Sequence, residues 1–556
     1  MSGLAGILEL AEGLAGGLSI AFDGRIDNRD ELLAAFTDSA ATETDGALVL
    51  RAYERWGEDS PAHLLGDFAY VIWDPRVRRL FCARDPLGIR PFYYFTDGRV
   101  FLWASEPHQL LSHPAVPKRP NESMVAEYLA VDLCSLEQTL YQGIYRLPPA
   151  HFISVGPAGL RKQRYWDAGL SRRIRYRNNS EYAEHFHEVL KESVRCRLRS
   201  EGPVGAELSG GVDSSCVVGM CQSLFRSGAA PGQGFETFSL VFPGRRCDET
   251  EYLREVVRFW KLESSEVPVT PDPEWYADCA RRYQYLPDHA NFHMSDLLST
   301  LAGRKGIRVL LTGLGGDDWF TGLPPWQGSS MRRALHRLRE EPSVATLRSL
   351  SAGLLRRVRR HPDAGTSQRA CPWIPAAFYS RAHASLDKPD TLSPRVFASR
   401  TQEYLYRSFS DAFRLHCFEM TRRASVRCGM EHRHPLHDRR LIELSLAFPA
   451  DQLWSGNQGK AVLRRAMKGL VPDRVLNRST KAEFSHTSAQ LFESDCIAPL
   501  FRSPRIAEQG WVDRDQVALM YQEFVSAYRA GNESPPRVWP LSMILAVELW
   551  FRAAFA

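Results

Sequence analysis

Paired cysteines are what this sequence most plainly lacks. Its eleven cysteines fall singly, the nearest two being Cys216 and Cys221. No CxxC spacing for zinc or dithiol chemistry exists, and no disulfide framework can be laid out. Reduced thiols, as in a cytoplasmic protein, are the expectation. Long apolar runs are missing as well, and nothing approaches the ~20 consecutive apolar residues of a membrane span. The segment Met1-Ser-Gly-Leu-Ala-Gly-Ile-Leu-Glu-Leu is apolar, but it has no basic flank and is broken by Glu9 and Glu12, unlike a secretory signal. One-sided charge is absent too. Seventy Lys and Arg against 65 Asp and Glu leave +5 over 556 residues, too little to argue for nucleic acid. The expectation is a soluble, cytoplasmic protein with neither a nucleic-acid nor a membrane partner.

What is present has two textures. Up to about residue 165, short apolar runs end in turn residues: Ser19-Ile-Ala-Phe-Asp-Gly, Phe68-Ala-Tyr-Val-Ile-Trp-Asp-Pro, Arg79-Leu-Phe-Cys-Ala-Arg, Phe92-Tyr-Tyr-Phe and Val100-Phe-Leu-Trp-Ala. Their close spacing predicts packed antiparallel sheets. A polar, Arg-rich stretch at 167–180 reads as a linker. Beyond it, helical periodicity over Ser180–Leu198 leads into the strand Val204-Gly-Ala-Glu-Leu and a helix over Ser214–Phe225. The strand Thr237–Phe242, the helix Thr250–Trp260 and the strand Arg308-Val-Leu-Leu-Thr follow. Such alternation predicts an α/β unit with a parallel sheet covered on both faces, and the chain from about 375 reads as mostly helical. The predicted domains are 1–166 and 180–556. Within the second, 331–369 carries ten arginines and reads either as a solvated helical insertion or as a docking surface for an acidic or peptide partner.

Two loops carry chemistry. Leu208-Ser-Gly-Gly-Val-Asp-Ser-Ser215 joins a strand to a helix. Its glycines let the backbone approach an anion, its serines offer hydroxyls, and the helix N-terminus offers oriented N–H groups. It lacks the lysine of a Walker loop, so the reading is a pyrophosphate cradle rather than a P-loop. Asp213, an anion inside an anion-binding loop, makes sense if Mg²⁺ bridges it to phosphates. Leu311-Thr-Gly-Leu-Gly-Gly-Asp-Asp318 ends another strand, at the sheet edge where open α/β sheets bind ligands. Asp317 can then share one metal ion with Asp213. The bland alternative, a plain turn, applies to each loop alone.

Together these residues resemble the asparagine synthetase family, whose synthetase domain belongs to the PP-loop ATP pyrophosphatases. The resemblance extends to Thr237-Phe-Ser-Leu-Val-Phe-Pro-Gly with Asp248-Glu-Thr-Glu-Tyr, to Gly429-Met-Glu-His-Arg-His-Pro-Leu-His-Asp438, to Gly459-Lys-Ala-Val-Leu-Arg-Arg-Ala and to Arg478-Ser-Thr-Lys-Ala-Glu-Phe484. Upstream, Gly66-Asp-Phe-Ala-Tyr, Arg84-Asp-Pro-Leu-Gly-Ile-Arg-Pro-Phe-Tyr and Ala104-Ser-Glu resemble the family's glutaminase domain. The resemblance implies an N-terminal Ntn-type αββα sandwich and a C-terminal PP-loop domain with helical additions. It also implies activation of a carboxylate with ATP and Mg²⁺ and its transfer to an amine. Ser209, Gly210, Gly211, Ser214 and Ser215 would hold pyrophosphate, with Lys460 assisting. Leu208, Leu240, Thr312 and Gly313 would line the adenosine pocket, and Asp213 and Asp317 would hold the metal. Lys481 matches the family's catalytic lysine. Glu431 would be the base or orient the amine, its alternative being a structural carboxylate paired with Arg427 or Arg433.

Departures from the family narrow the expectation. Ser2 stands where glutamine-using members place the cysteine nucleophile, and a serine hydroxyl is a poor substitute for a thiolate. Asp23 stands where they place Asn. These predict a degenerate glutaminase domain kept as a scaffold. Leu314 replaces the glutamate of asparagine synthetases and the tyrosine of β-lactam synthetases, and it can neither take a proton nor orient an amine. Histidines at 432, 434 and 437 raise an HxHxxH metal possibility, although pocket-lining side chains are the better reading. This combination resembles the lasso-peptide macrolactam synthetases. The resemblance implies a precursor peptide whose Asp or Glu side chain is adenylated and joined to its own N-terminal amine, with a leader peptidase and a leader-binding protein as partners. A small-molecule amide synthetase is the alternative.

Overall fold

The computed structural model describes residues 5–9, 17–36, 43–230, 235–286, 292–323, 371–384 and 395–555; Ser2 and the Arg-rich 331–369 stretch lie outside these. The N-terminal strands are β1 (Ala5–Glu9), β2 (Ser19–Ile26), β3 (Gly66–Asp74), β4 (Arg79–Arg84), β5 (Tyr93–Thr96), β6 (Val100–Ala104), β7 (Tyr145–Arg146), β8 (His151–Gly156) and β9 (Gly159–Arg164). They form two antiparallel sheets, ordered β1-β6-β5-β7 and β2-β3-β4-β8-β9. In β3 the pleat sends Ala69, Val71 and Trp73 toward the second sheet and Phe68, Tyr70 and Ile72 the other way. There they meet Leu32 of the helix Arg29–Ala35 (α1) and Leu48, Val49 and Ala52 of Asp45–Trp56 (α2). Burial on both faces explains why β3 is apolar throughout rather than alternating.

The second sheet finds its cover elsewhere. Tyr93, Phe95 and Leu102 share one apolar cluster with Met124, Val125 and Tyr128 of the helix Glu122–Ala130 and with Trp511, Leu545 and Trp550, and the last helix of the chain packs against Glu122–Ala130. The core of the first unit is thus continuous with that of the second.

The second unit opens with α3 (Asn179–Arg197), capped by Asn178 Oδ1, which accepts from the N–H groups of Ser180 and Glu181 at 2.9 and 3.1 Å. Then follow β10 (Val204–Glu207), α4 (Val212–Arg226), β11 (Phe235–Val241), α5 (Thr250–Trp260), β12 (Glu263–Pro268), α6 (Phe292–Arg304), β13 (Val309–Leu311), α7 (Ala412–Arg427), β14 (Glu431–Arg433), α8 (Ala461–Ala466) and α9 (Val538–Phe555). In α5, Leu253, Val256 and Trp260 form one buried stripe at helical spacing, and the helix stops where Lys261 turns left-handed. The five strands form one parallel sheet ordered β12-β11-β10-β13-β14. Helix α9 is long and apolar enough to cross a membrane, but two thirds of it is buried inside the protein.

Buried ion pairs fasten the units along α7 and β14. Asp23 meets Arg422 at 2.8 Å, Arg423 meets Glu106 at 2.8 Å, Arg146 meets Glu419 at 2.6 Å and Arg25 meets Glu431 at 3.5 Å. Breaking one side of such a pair leaves an uncompensated buried charge and costs about 3–5 kcal/mol.

Candidate functional site

Topology fixes the place. From the central β10 the chain steps outward to β11 and β12, then crosses back to β13 and β14 on the other side. The order therefore reverses between β10 and β13, and ligands of open α/β sheets bind at such a point, beyond the carboxyl ends of the strands. Val204 pairs with Val309 and Ala206 with Leu311, so both loops leave the sheet at one level. A cavity of about 640 Å³ opens there, within the usual ~300–1,000 Å³ of small-molecule sites.

Glycines permit the loops to meet. Gly210 has φ +78°, and a Cβ there would lie 2.7 Å from the Leu253 nitrogen. A Cβ on Gly316 would lie 2.2 Å from the Asp213 carboxylate. Inside the first loop the Ser209 N–H donates to Ser214 Oγ at 3.1 Å, and the Gly211 N–H donates to Ser209 Oγ at 3.2 Å. The loop thereby presents the start of α4, with its free N–H groups, to the cavity.

Lys460 Nζ lies 2.5 Å from Asp213 Oδ2 and 2.6 Å from Asp317 Oδ1, and Lys481 Nζ lies 2.6 Å from Asp317 Oδ2. Lys460 holds φ +61° as the residue preceding α8, a left-handed setting that costs a non-glycine residue about 1 kcal/mol or more. Burial works to raise the Asp317 pKa, but Lys460 and Lys481 outweigh it and hold it down at about 2. Burial dominates at Asp213 and raises its pKa despite Lys460. Asp213 Oδ1 is buried with no hydrogen-bond partner. Two carboxylates on one ammonium, one with an orphaned oxygen, are the donor set a hard divalent cation takes.

Ten of the residues singled out in the sequence line this cavity: Leu208, Ser209, Gly211, Asp213, Ser214, Leu240, Gly313, Asp317, Lys460 and Lys481. Three stand behind it. Gly210 makes the turn. Ser215 has a fully buried hydroxyl without a partner. Thr312 is not on the cavity wall; its Oγ1 is taken by His434 Nδ1 at 2.7 Å and by the Leu314 N–H at 3.3 Å.

Glu431 requires a correction. It opens β14, level with Val309 at the start of β13, at the far end of the sheet from the loops. Its carboxylate is bound by Arg90, by Arg433 at 2.6 Å and by Arg25 at 3.5 Å. Burial alone would raise its pKa, but the three guanidiniums overcome that and hold it well below the usual range. Such a group is a structural anion, not a proton acceptor near neutral pH. The histidines also disperse: His432 bonds Ser425 and Ser299, His434 bonds Thr312, and His437 accepts from Trp319 Nε1.

Sequence reasoning missed part of the wall: Glu207, Met294, Leu298, Cys417, Thr421, Trp454 and Asn457. Glu249 and Arg478 lay inside noted segments without assigned roles; they form an ion pair at 2.5 Å. A charged residue inside the strand Val204-Gly-Ala-Glu-Leu was the available signal for Glu207.

An anion-cradling loop and an aspartate pair at the switch point of a parallel sheet, beside an antiparallel sandwich, define an ATP-pyrophosphatase-type synthetase unit joined to an amidotransferase-type unit. The comparisons agree: residues 185–552 match the asparagine synthase family model, and 13–166 match the glutamine amidotransferase domain. The chain belongs to the asparagine synthase family. A putative asparagine synthetase (glutamine-hydrolyzing) 2 of Methanocaldococcus jannaschii is 30% identical over 54% of this chain and 58% of its own length. Asparagine synthetase (glutamine-hydrolyzing) 3 of Bacillus subtilis is 25% identical over 83% of this chain and 74% of its own. The chain thus spans a little over half of the first relative. A B. subtilis glutamine phosphoribosylpyrophosphate amidotransferase structure aligns over 55% of this chain and 63% of its own at 14% identity and TM-score 0.21.

Proposed function

We propose that the chain is an ATP-dependent amide synthetase that adenylates an Asp or Glu side chain of a precursor peptide and joins it to the peptide's N-terminal amine, closing a lasso-type macrolactam. The observation that carries the ATP chemistry is the convergence of Asp213, Asp317, Lys460 and Lys481 at the switch point. The peptide reading is supported by a second cavity of about 560 Å³, lined by Arg246, Cys247, Glu483 and 530–534. It shares Lys481 and Ala482 with the first, giving a longer path than a free amino acid needs. Asp23, where the family's glutaminases place Asn, is bound to Arg422, which favours an amine other than glutamine-derived ammonia.

In this mechanism the substrate carboxylate attacks the α-phosphate of ATP and pyrophosphate leaves. The N–H groups at the start of α4, with Ser209 and Ser214, bind the departing charge. Asp213 and Asp317 would hold Mg²⁺, which neutralises pyrophosphate charge when bound. Lys481, with an 80% exposed side chain at the cavity mouth, is free to move to the phosphorus and the acyl oxygen. Oriented cations at developing charge contribute several kcal/mol. A leader peptidase and a leader-binding protein are the partners this reading implies.

The relatives named asparagine synthetases favour a second reading, a small-molecule amide synthetase. One experiment separates the two. The protein is incubated with ATP, Mg²⁺ and a linear core peptide bearing a free N-terminus and an internal Asp or Glu, and mass spectrometry follows loss of one water. Water loss abolished by Lys481→Ala or Asp213→Ala supports the cyclase. AMP formation only with small amino acids sinks it.

A further inference from the structure

The proposed reaction needs a group to take the amine's proton, and Glu431 is too far away and too strongly paired to do so. Four carboxylates line the main cavity: Glu207, Asp213, Glu249 and Asp317. Lys460 holds Asp213, both lysines hold Asp317, and Arg478 holds Glu249. Glu207 has no arginine or lysine partner among the described residues. It ends β10, immediately before the anion loop. Ala206 and Leu208 pack into the core on one face of the strand, so the pleat turns Glu207 to the opposite face. There it lines the cavity together with Ser295 and Leu298 of α6, Cys417 and Thr421 of α7, and Leu314.

A lone carboxylate at the end of a central parallel strand conflicts with its surroundings, where apolar residues are the rule. Such local conflicts concentrate at functional sites. Burial, with no cation to oppose it, pushes the Glu207 carboxyl up to about 7. His432 stands within ion-pair distance, with Nε2 3.9 Å from Glu207 Oε1. Its ring nitrogens face Ser425 Oγ at 2.6 Å and Ser299 Oγ at 3.2 Å, and burial lowers its pKa to about 4, so it adds no positive charge at neutral pH. From α7 the cavity also receives Cys417. On α6, His293 is turned to Tyr276, and Asp296 to Trp275 and Arg427.

We infer that Glu207 is the general base for amide formation, a catalytic residue that meets the attacking amine on the Leu298–Leu314 side of the cavity. This inference rests on the amide-synthetase reading above. The amine nitrogen bonds to the adenylate's acyl carbon, and the bond from that carbon to the phosphate oxygen breaks. AMP leaves with the electron pair, Glu207 takes the nitrogen's proton, and the proton passes to water. Leu314, apolar and 45% exposed, fits beside an amine that must lose its water shell before attack.

The test measures two steps in wild type, Glu207→Gln and Glu207→Asp with the same linear peptide. ATP–pyrophosphate exchange reports adenylation and water loss reports amide formation, while calorimetry with ATP alone reports nucleotide binding. For Glu207→Gln the expected fall in amide formation is about 10²–10⁴-fold, at least ten times larger than any fall in exchange. The rise of the wild-type rate through neutral pH should disappear with it, and Glu207→Asp should recover part of the rate. Equal falls in both steps with weakened ATP binding would make Glu207 a nucleotide contact and overturn the inference. An unchanged amide rate would overturn it as well, while leaving the synthetase reading intact. Absence of exchange in the wild type would sink both.

Discussion

Lys460→Met removes the one ammonium that Asp213 and Asp317 share. With oxygens 2.5 and 2.6 Å from a single nitrogen, the carboxylates are at most about 5 Å apart, and at an effective dielectric near 20 unit charges at that distance repel by about 3 kcal/mol. Asp317 is half exposed and Lys481 still faces it, so screening leaves about 1–2 kcal/mol of expected destabilisation at neutral pH. The pH dependence follows from the shifts. In the wild type the paired Asp317 is held at about 2. Its contribution is complete above the unfolded value near 4 and is lost as pH falls toward about 2. In the variant, Asp213, already raised by burial, takes up a proton first on acidification and relieves the repulsion. The gap between variant and wild type should therefore narrow from about pH 7.5 to about pH 5, where the unfolded carboxylates remain mostly ionised. Mg²⁺ without ATP should raise the variant's urea midpoint more than the wild type's, since a divalent cation can replace the missing ammonium. The assay is urea denaturation followed by circular dichroism at both pH values, with and without MgCl₂ at matched ionic strength. A gap below about 0.3 kcal/mol at neutral pH, or one that widens on acidification, would refute the shared-ammonium argument.

Three further outcomes follow from named contacts. Arg422→Met leaves the buried Asp23 with Arg90, at 3.7 Å, as its one cationic partner among the described residues, and should cost about 3–5 kcal/mol in urea denaturation; adding Asp23→Asn should restore a good part of it, and simple additivity would show the pair uncoupled. Gly316→Ala places a Cβ 2.2 Å from the Asp213 carboxylate, so ATP–pyrophosphate exchange should fall at least about tenfold, as a displaced catalytic group implies; wild-type exchange would contradict the loop contact. Glu431→Gln takes the carboxylate from Arg433, while Arg25 keeps Asp27 and Asp67 and Arg90 keeps Asp23; it should lower stability by about 1–3 kcal/mol, while the ratio of amide formation to exchange stays at the wild-type value. A selective loss of amide formation in that variant would reinstate Glu431 as a base.

Legibility followed hydrophobicity. The helix Thr250–Trp260 was readable to the residue because Leu253, Val256 and Trp260 mark one face. β13 was readable as a buried Val-Leu-Leu run, and β10 and β11 were readable from Val204 and Ala206 and from Phe238, Leu240 and Val241 between turn residues. β12 and β14 were not: Glu-Ser-Ser-Glu-Val-Pro and Glu-His-Arg carry no apolar pattern. Both are edge strands, and the second is held by β13 and by Arg25 and Arg90, distant in sequence. The two loops were visible through glycine, serine and aspartate chemistry. Glu431 was misplaced for a related reason: a motif names a residue type but not the end of the strand on which it stands, and the register to Val309 puts it away from the loops.

The ion pairs and the shared core also bear on why the first unit remains. Tyr93 and Phe95 of the sheet β1-β6-β5-β7 belong to one apolar cluster with Trp511 and Trp550 of the synthetase unit. The same unit supplies Arg25 and Arg90 to Glu431, on the strand that flanks β13. β13 carries the loop with Asp317. Removing the first unit would therefore expose apolar surface, strand buried charges on α7 and β14, and loosen the strand that sets one half of the aspartate pair. The amidotransferase-type unit thus helps to hold the aspartate pair in register.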